Sequence, residues 1–298
     1  MKFLLTNTEA VTDDDGTEIH LYGRDVDGER HHVEVTGFEP YFYTLTEYVD
    51  GNESDYLGDA GIKAIEHSPP FSPFGESGDV SRVVLESPKG MKNAASLFPV
   101  HFEADVKPAQ RFRIDTGVRD WCEVPAENES VHIDNVRAIE APVDVDPDAR
   151  IVNFDIEVDD RGGFPEPGEK RITSIVVHDN YTDEYIGFID GDSRPIEEMF
   201  PNGKPEEVDA LHVEPDERRM LIKFGCWIAE RDPDLLTAWN VDFDAPYVVE
   251  RMKRVGANPD RLSPLEESYT NYFDEAKIKG RSVYDLLTAY KKNSWGEL

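Results

Sequence analysis

The segment IVNFDIEV, residues 151–158, restricts the possible folds of this chain more than any other, because it places two carboxylates inside an otherwise apolar run. On a β-strand, side chains two positions apart share a face and lie about 7 Å apart. Asp155 and Glu157 therefore point to one side, and their apolar neighbours point to the other. Two carboxylates aimed at one place repel each other unless a cation separates them or one of them takes a proton, and the apolar residues around them predict that this charge is buried. The alternative is an edge strand with one wet face, since so acidic a chain contains acid-x-acid triplets by chance.

The residues after this segment alternate predicted strands and helices. Strand candidates are RITSIVVH (171–178) and EYIGFID (184–190), and a helix is predicted from about Asp216 to Glu230. Its apolar residues recur at i, i+1, i+4, i+7 and i+8, which gives one continuous face. A further strand at 235–239 and a further helix follow. This order predicts an α/β layer with a partly parallel sheet.

The residues before the segment show a pattern of strands and turns. Asp27-Gly28 lies between alternating apolar positions and predicts a hairpin, since both residues tolerate positive φ. Other predicted elements are strands at 40–46, 81–87 and 100–106, a short helix at 91–98 and a surface loop at 67–79. The Pro-rich and acidic stretch EAPVDVDPDAR (140–150) is typical of a connector. We therefore expect a mixed α+β chain with a β-rich N-terminal domain (1–140) and an α/β domain (141–298).

The charge of the chain bears on its solvent and its partners. The formal net charge is −32, from 63 acidic and 31 basic residues, and the acidity extends over both halves. Such a balance ordinarily argues against a polyanionic partner such as DNA. In concentrated salt, however, the Debye length falls to roughly 3 Å at 1 M, which screens the repulsion. We interpret the charge as adaptation to a salt-rich cytoplasm, with an ordinary acidic protein as the alternative.

Cysteine usage and hydropathy indicate the compartment. Cys122 and Cys226 are far apart and neither has a CxxC partner, so no disulfide framework or thiolate metal site is predicted. The first residues, MKFLLTNTEA, are too short in apolar length for a signal peptide. No run approaches the roughly 18 apolar residues of a membrane span. We expect a soluble cytoplasmic protein without a membrane partner.

A second group of polar residues lies in DPDLLTAWNVDFDAPYVVERMK (232–253). A short apolar strand ends near Asn240, and helical spacing resumes after Asp244, with Pro246 expected near the helix start. Asp244 could simply cap this helix, as Asp often does. A cap alone does not require Asn240 and Phe243 on the same turn. Together they provide a polar group, an aromatic surface for a base and a third carboxylate beside a neighbouring strand.

The motifs FDIEV (154–158) and NVDFD (240–244), with the segment ERRMLIKFGCWIAERDPDLLTAWN between them, resemble the first two exonuclease motifs of family B DNA polymerases, particularly archaeal ones. The resemblance extends over nearly the whole chain. GFEPYFYTL (37–45) and KPAQRFRIDTG (107–117) are similar to parts of that family's N-terminal domain. IKGRSVYDLL (278–287) is similar to the strand and helix that follow its second motif.

The resemblance implies a ribonuclease-H-like 3′–5′ exonuclease domain that removes mispaired 3′ nucleotides with two divalent ions about 3.5–4 Å apart. By its motifs, Asp155 would bridge both ions, Glu157 would bind the ion that carries the attacking water, and Asp244 would serve the second ion. Asn240 and Phe243 would position the 3′ end of DNA. Oxygen ligands suit Mg²⁺ or Mn²⁺. The implied partners are primer-template DNA, single-stranded 3′ ends and a sliding clamp bound through a more C-terminal part.

The chain departs from the family pattern in its last residues. The third exonuclease motif, a tyrosine followed four positions later by a carboxylate, does not occur between Asp244 and Leu298, and neither do the polymerase signatures. We expect an N-terminal fragment of a polymerase, halophilic and archaeal in origin, that binds metal weakly and cleaves slowly. Asp285 is predicted to cap the following helix.

The resemblance also implies a uracil-reading pocket in the N-terminal domain. Pro40, Tyr41 and Arg111 match positions that line it, whereas Pro108 stands in place of an aromatic residue and an alanine near position 95 in place of an arginine. His31 and His32 are adjacent and are predicted to face opposite sides of a strand, so they should not share a metal.

Two other functions remain open from the sequence. A self-contained nuclease of the same ribonuclease-H-like group would need four carboxylates in these residues. A non-catalytic nucleic-acid-binding module would use the acids as helix caps and salt-adapted surface, and it would hold no ion between Asp155 and Asp244.

Overall fold

The computed structural model divides the chain into two compact units, Met1–Pro147 and Asp148–Leu298. The division lies seven residues beyond the boundary predicted at position 140. The structure describes residues 1–13, 16–67, 78–125, 130–142, 148–159, 161–163, 165–192 and 195–294. Most of the predicted loop at 67–79 lies outside these ranges.

The first unit is rich in strands, as its sequence predicts. Its strands are β1 (Lys2–Thr12), β2 (Thr17–Arg24), β3 (Arg30–Thr36), β4 (Tyr41–Leu45), β5 (Ile62–His67), β6 (Val80–Leu85), β7 (His101–Phe102), β8 (Trp121–Glu123), β9 (Ser130–His132) and β10 (Arg137–Ile139). Its α-helices are α1 (Glu53–Tyr56), α2 (Met91–Ala95) and α3 (Pro108–Thr116).

These strands form two sheets. One has six strands in the order β10-β8-β1-β2-β3-β9, and the other has four in the order β5-β6-β4-β7. The antiparallel β2–β3 hairpin confirms the prediction at Asp27-Gly28, and Gly28 has a φ of +80°. The turn spans residues 25–29, and Asp25 organises it by accepting hydrogen bonds from the backbone N–H groups of Asp27 and Glu29.

Two predicted elements of the first unit are shorter than expected. Helix α2 ends at Ala95, three residues early, and Pro99 soon follows and disfavours helix in the residue before it. Of the strand predicted at 100–106 only His101–Phe102 is formed. Glu103 adopts a φ of +61°, which takes the chain out of the extended region.

The second unit alternates strands and helices. Its strands are β11 (Ile151–Val158), β12 (Ile172–Asp179), β13 (Glu184–Asp190), β14 (Ala210–Glu214), β15 (Leu235–Ala238), β16 (Ser268–Thr270), β17 (Ala276–Ile278) and β18 (Ser282–Asp285). Its α-helices are α4 (Ile196–Met199), α5 (Glu217–Arg231), α6 (Val241–Val255) and α7 (Leu286–Ser294).

The main sheet of this unit has the order β14-β13-β12-β11-β15-β18. It is partly parallel, as predicted: β11 pairs with β15 and β15 with β18 in parallel, whereas β12 is antiparallel to both of its neighbours. The apolar faces of α5 and α6 pack with the buried residues of β11, β12 and β15 in a single core. Helix α5 confirms its predicted start, since the Asp216 side chain accepts a hydrogen bond from the Arg219 N–H. Among the described helices, none has the length and apolar character needed to cross a membrane.

Candidate metal centre

Strand β11 alternates between the core and solvent. Val152, Phe154 and Ile156 are buried, whereas Asp155 and Glu157 are exposed on the opposite face. The prediction that both charges are buried is therefore wrong for these two residues. The physical reason is that α5 and α6 pack with the apolar side chains of the strand, so the other side chains need not leave water.

The parallel strands bring distant carboxylates to one edge of the sheet. Asn153 pairs with Thr237, so Asp155 lies just beyond the end of that pairing, where β15 gives way to α6. On the other side of β15, Ala238 pairs with Asp285. Because the carboxyl ends of parallel strands meet at the same edge, this end of the sheet collects acids from β11, β18 and the first turns of α6.

Asp244 is the buried member of this group. Its helix begins at Val241 with Asn240 as the N-cap residue, so Asp244 lies within the helix and does not cap it. Only 5% of Asp244 is exposed. Burial, followed by the negative charges of Asp155, Asp285 and Glu157, raises the pKa of Asp244 to about 7. The three predicted ligands thus act on one another electrostatically, and a cation would relieve the cost of the Asp244 charge.

Asp285 is a member of this acidic end that the sequence indicated only as a helix cap. The capping prediction is confirmed, since Asp285 accepts a hydrogen bond from the Thr288 N–H at the start of α7. Its other oxygen accepts from the Asp242 N–H of α6, at 3.4 Å. Burial alone would raise the pKa of Asp285, but these hydrogen bonds hold it below its ordinary value. The signal available in the sequence was an acid at the end of a strand that neighbours β15.

The two predicted DNA-binding residues differ in exposure. Asn240 is exposed and its side chain makes no capping hydrogen bond, which leaves its amide accessible. Phe243 is only partly buried against the core, with its ring centroid 5.3 Å from that of Tyr247. Trp239, predicted within the strand, follows its last residue and is 56% exposed.

Pro246 does not lie at the helix start as predicted. Helix α6 begins at Val241, so Pro246 is its sixth residue. At that position the ring removes the N–H that would otherwise donate to the Asp242 carbonyl. The first turn of the helix alternates Val241 and Phe243 with the acids Asp242 and Asp244, so apolar spacing at a helical period does not reveal it.

The donor set fits hard divalent ions. All three predicted ligands are carboxylates, the class that Mg²⁺ and Mn²⁺ prefer. In the described parts of the chain, the groups with ligand atoms mutually within 4.8 Å lie elsewhere, so these three oxygens are more widely spread.

In the first unit, Pro40, Tyr41 and Arg111 line one cavity of about 200 Å³, together with Met91 and Pro108. Two guanidinium groups contact the Tyr41 ring, with the Cζ of Arg111 4.3 Å and that of Arg82 4.0 Å from its centroid.

The polar groups of Tyr41 and Arg111 are held by acids. The Tyr41 hydroxyl donates to Asp115 at 2.6 Å, and Arg111 donates to Glu103 at 2.6 Å. Both side chains are thus fixed in the wall of the cavity. The pocket residues named from the sequence are thus brought together, with the Tyr41 hydroxyl and the terminal nitrogens of Arg111 already hydrogen-bonded.

Comparison with known proteins places the chain among polymerases. A family model described as "DNA polymerase family B, exonuclease domain" matches residues 100–295. The DNA-directed DNA polymerase of Escherichia phage RB69 is 29% identical over 175 residues, covering 49% of this chain and 19% of the phage protein. The DNA polymerase of Thermococcus litoralis is 21% identical over 310 residues, covering 97% of this chain and 16% of that protein.

A solved structure has the same fold. The family B DNA polymerase from the hyperthermophilic archaeon Pyrobaculum calidifontis superposes with a TM-score of 0.77 at 21% sequence identity. The superposition covers 98% of this chain and 37% of the archaeal one. The present chain therefore spans well under half the length of each of these relatives.

Proposed function

Because this chain belongs to the family B DNA polymerases, we propose that its second unit is a ribonuclease-H-like 3′–5′ exonuclease domain that removes mispaired 3′ nucleotides from primer-template DNA. The observation that carries the proposal is Asp244 of α6, whose pKa is raised by its burial and then by the charges of Asp155, Asp285 and Glu157 on neighbouring strands. A carboxylate buried beside other carboxylates is costly without a cation. Two divalent ions bound for exonuclease chemistry would offset this cost.

Each residue has a separate role in the proposal. Asp155 would bridge two Mg²⁺ or Mn²⁺ ions, Glu157 would hold the ion near the attacking water, and Asp244 would hold the second. When bound, such ions activate water and stabilise the leaving oxygen. The exposure of Asp155 and Glu157 supports this assignment, since a substrate must reach them from solvent.

The 3′ end of DNA would bind beside the start of α6. The exposed Asn240 amide provides donors for a phosphate or sugar oxygen, and the partly exposed Phe243 ring provides a surface for a base. Both lie within four positions of Asp244 on the same turn of chain, so a nucleotide held there would have its phosphate near the carboxylates.

The proposed exonuclease lacks a third motif within residues 1–298. Asp285 is a further acid whose charge acts on Asp244, but its oxygens accept backbone hydrogen bonds from two helices. We therefore propose that these residues alone bind Mg²⁺ weakly and cleave slowly, because metal ligands act as a unit and their losses are not additive.

The test is digestion of a 3′-mismatched primer in Mn²⁺ by the 298-residue chain and by its Asp155→Asn variant. The matched control is Asp159→Asn, because Asp159 directly follows the last residue of the same strand, β11. We expect slow cleavage that Asp155→Asn abolishes and Asp159→Asn retains. Cleavage as fast as that of a relative with a third motif would refute the slow-fragment proposal. Equal Mn²⁺ affinity in wild type and Asp155→Asn would favour the non-catalytic module.

A second candidate function is the recognition of uracil in template DNA by the first unit. The supporting observation is the cavity of about 200 Å³ with Pro40, Tyr41 and Arg111 in its wall. Pro108 lines the same cavity and replaces the aromatic residue that the resemblance would place there. Equal affinity of the chain for uracil-containing and ordinary single strands would refute this function.

The remaining expectations belong to the same proposal. DNA synthesis and contact with a sliding clamp are proposed only for a chain that carries further polymerase motifs in addition to these residues. A cytoplasmic location in a salt-rich archaeon is supported by the net charge of −32 and by relatives from archaea.

A further inference from the structure

The β2–β3 hairpin of the first unit gathers two imidazoles and a carboxylate on one face of its sheet. Ligand atoms of His20, His32 and Glu34 all lie within 4.8 Å of one another. His20 pairs directly with Glu34 across the two strands, and His32 occupies the neighbouring row, opposite Tyr22. From this geometry we propose that the three residues form a binding site for a divalent transition ion of the Zn²⁺ class, separate from the carboxylate site of the second unit.

The spacing of the two ring nitrogens fits a shared ion. His20 Nδ1 lies 2.9 Å from His32 Nε2. Zinc–imidazole bonds of about 2.0–2.1 Å, at angles between 90° and 110°, place two nitrogens about 2.9–3.4 Å apart. His32 is exposed and its ring stacks on that of Tyr22, with centroids 4.4 Å apart, whereas His20 is 5% exposed. The site therefore combines one buried ligand with one that solvent reaches.

Binding of the ion requires no net gain or loss of protons by the two imidazoles. Without the ion, one ring N–H donates to the lone pair of the other ring. With the ion, both facing nitrogens bind through lone pairs, and the displaced hydrogen moves to the outer nitrogen of the same ring. Both imidazoles remain neutral, as metal-bound histidines do, and the Glu34 carboxylate offsets part of the charge of the ion.

The sheet provides a further carboxylate at the same place. Glu9 of β1 pairs with His20 from the side opposite Glu34. Acids thus flank the buried imidazole on both neighbouring strands, which favours a cation there. Nitrogen and oxygen donors together suit Zn²⁺, Ni²⁺ or Co²⁺ better than Mg²⁺, which prefers oxygen alone.

Two other groups of potential ligands are as closely spaced but do not contain two imidazoles. In the group of Asp25, Glu29 and His31, Asp25 holds the hairpin turn and accepts from His31 at 2.8 Å. The group of Asp50, Glu53 and His67 has one imidazole, which already contacts Glu53. Only the His20 group among the three offers two imidazoles, one of them buried.

The test is calorimetric titration of the whole chain with Ni²⁺ in excess Mg²⁺, which is added to compete for the proposed carboxylate site of the second unit. We expect one Ni²⁺ equivalent whose affinity falls by at least about tenfold in His32→Gln and in Glu34→Gln. His31→Gln is the matched control, since its ring contacts Asp25 of the separate group, and it should bind as wild type. His32 is exposed, so its replacement should leave the fold intact.

A second measurement is independent of affinity. The Tyr22 ring stacks on His32 with centroids 4.4 Å apart, so bound Ni²⁺ should broaden the proton resonances of Tyr22 in wild type and not in His32→Gln. The proposal is refuted if wild type binds no Ni²⁺ in excess Mg²⁺, if His32→Gln binds as wild type does, or if binding is lost in His31→Gln.

Discussion

Replacing Asp244 with Asn should stabilise the metal-free protein at neutral and alkaline pH, although it removes a proposed metal ligand. Asp244 is buried beside three negative charges, and its pKa in the folded state is about 7. In the unfolded chain the same group has an ordinary pKa near 3.8. Asn has nearly the shape of the protonated acid and carries no charge at any pH.

The sign of the pH dependence follows from proton binding. Between about pH 4 and pH 7 the folded state retains the Asp244 proton and the unfolded state releases it. The free energy of unfolding of the wild type therefore falls as pH rises through this window. The raised pKa corresponds to about 4 kcal/mol above pH 7. Because Asp155 and Glu157 are exposed, salt screens their share, and we expect about 2–4 kcal/mol.

The assay is urea unfolding of wild type and Asp244→Asn in EDTA at constant ionic strength, from pH 4.5 to pH 8. The stability difference should be small at the acidic end, grow through pH 7 and then level off. Asp242→Asn, an exposed acid of the same helix turn, is the matched control and should change stability less. Adding Mn²⁺ should stabilise wild type and not Asp244→Asn. A variant less stable than wild type at pH 8 in EDTA, or a difference that does not vary with pH, would contradict a raised pKa of Asp244 in the folded state.

Three further outcomes are expected. Glu217→Gln should lower the free energy of unfolding, measured in urea, by about 3 kcal/mol. The buried Glu217 carboxylate accepts hydrogen bonds from Arg251 Nε and Nη2, both at 2.7 Å. A loss below about 1 kcal/mol would show that this ion pair contributes little to stability. Gly168→Ala should cost more than Gly162→Ala in the same assay, since both have positive φ but only a Cβ at 168 would come within 2.9 Å of the Arg251 nitrogen; equal costs would contradict this packing. Raising KCl toward 1 M should raise the thermal midpoint, because the charge of −32 is then screened over roughly 3 Å; an unchanged midpoint would argue for an ordinary acidic protein.

Local pattern predicted those elements whose formation depends on near neighbours. The alternation of residues 151–158 defines strand β11, and the apolar face with its Asp216 cap defines α5. The turn at Asp27-Gly28 forms as predicted because Gly28 adopts a positive φ, which costs glycine less than residues that have a Cβ. His31 and His32 face opposite sides, as strand geometry requires, with His31 on Asp25 and His32 on His20.

The sequence pattern was less informative about which charged side chains are buried. The acids of β11 are exposed and Asp244 is buried, the reverse of what an apolar run around Asp155 and Glu157 suggests. Exposure of a side chain depends on what packs over it, and α5 and α6 are contributed by residues far along the chain. For the same reason Asp285 could be predicted as a cap, whereas its place beside Asp244 could not.

The strand and helix periods, the order of the elements and the family motifs could all be predicted from the sequence, because each depends on residue types at short spacing. The three-dimensional fold was needed to see that acids from β11, α6 and β18 share one end of a sheet, and that His20, His32 and Glu34 share one face of another. Strand pairing brings these side chains together, and the free energy of pairing depends on the whole core that the strands enclose.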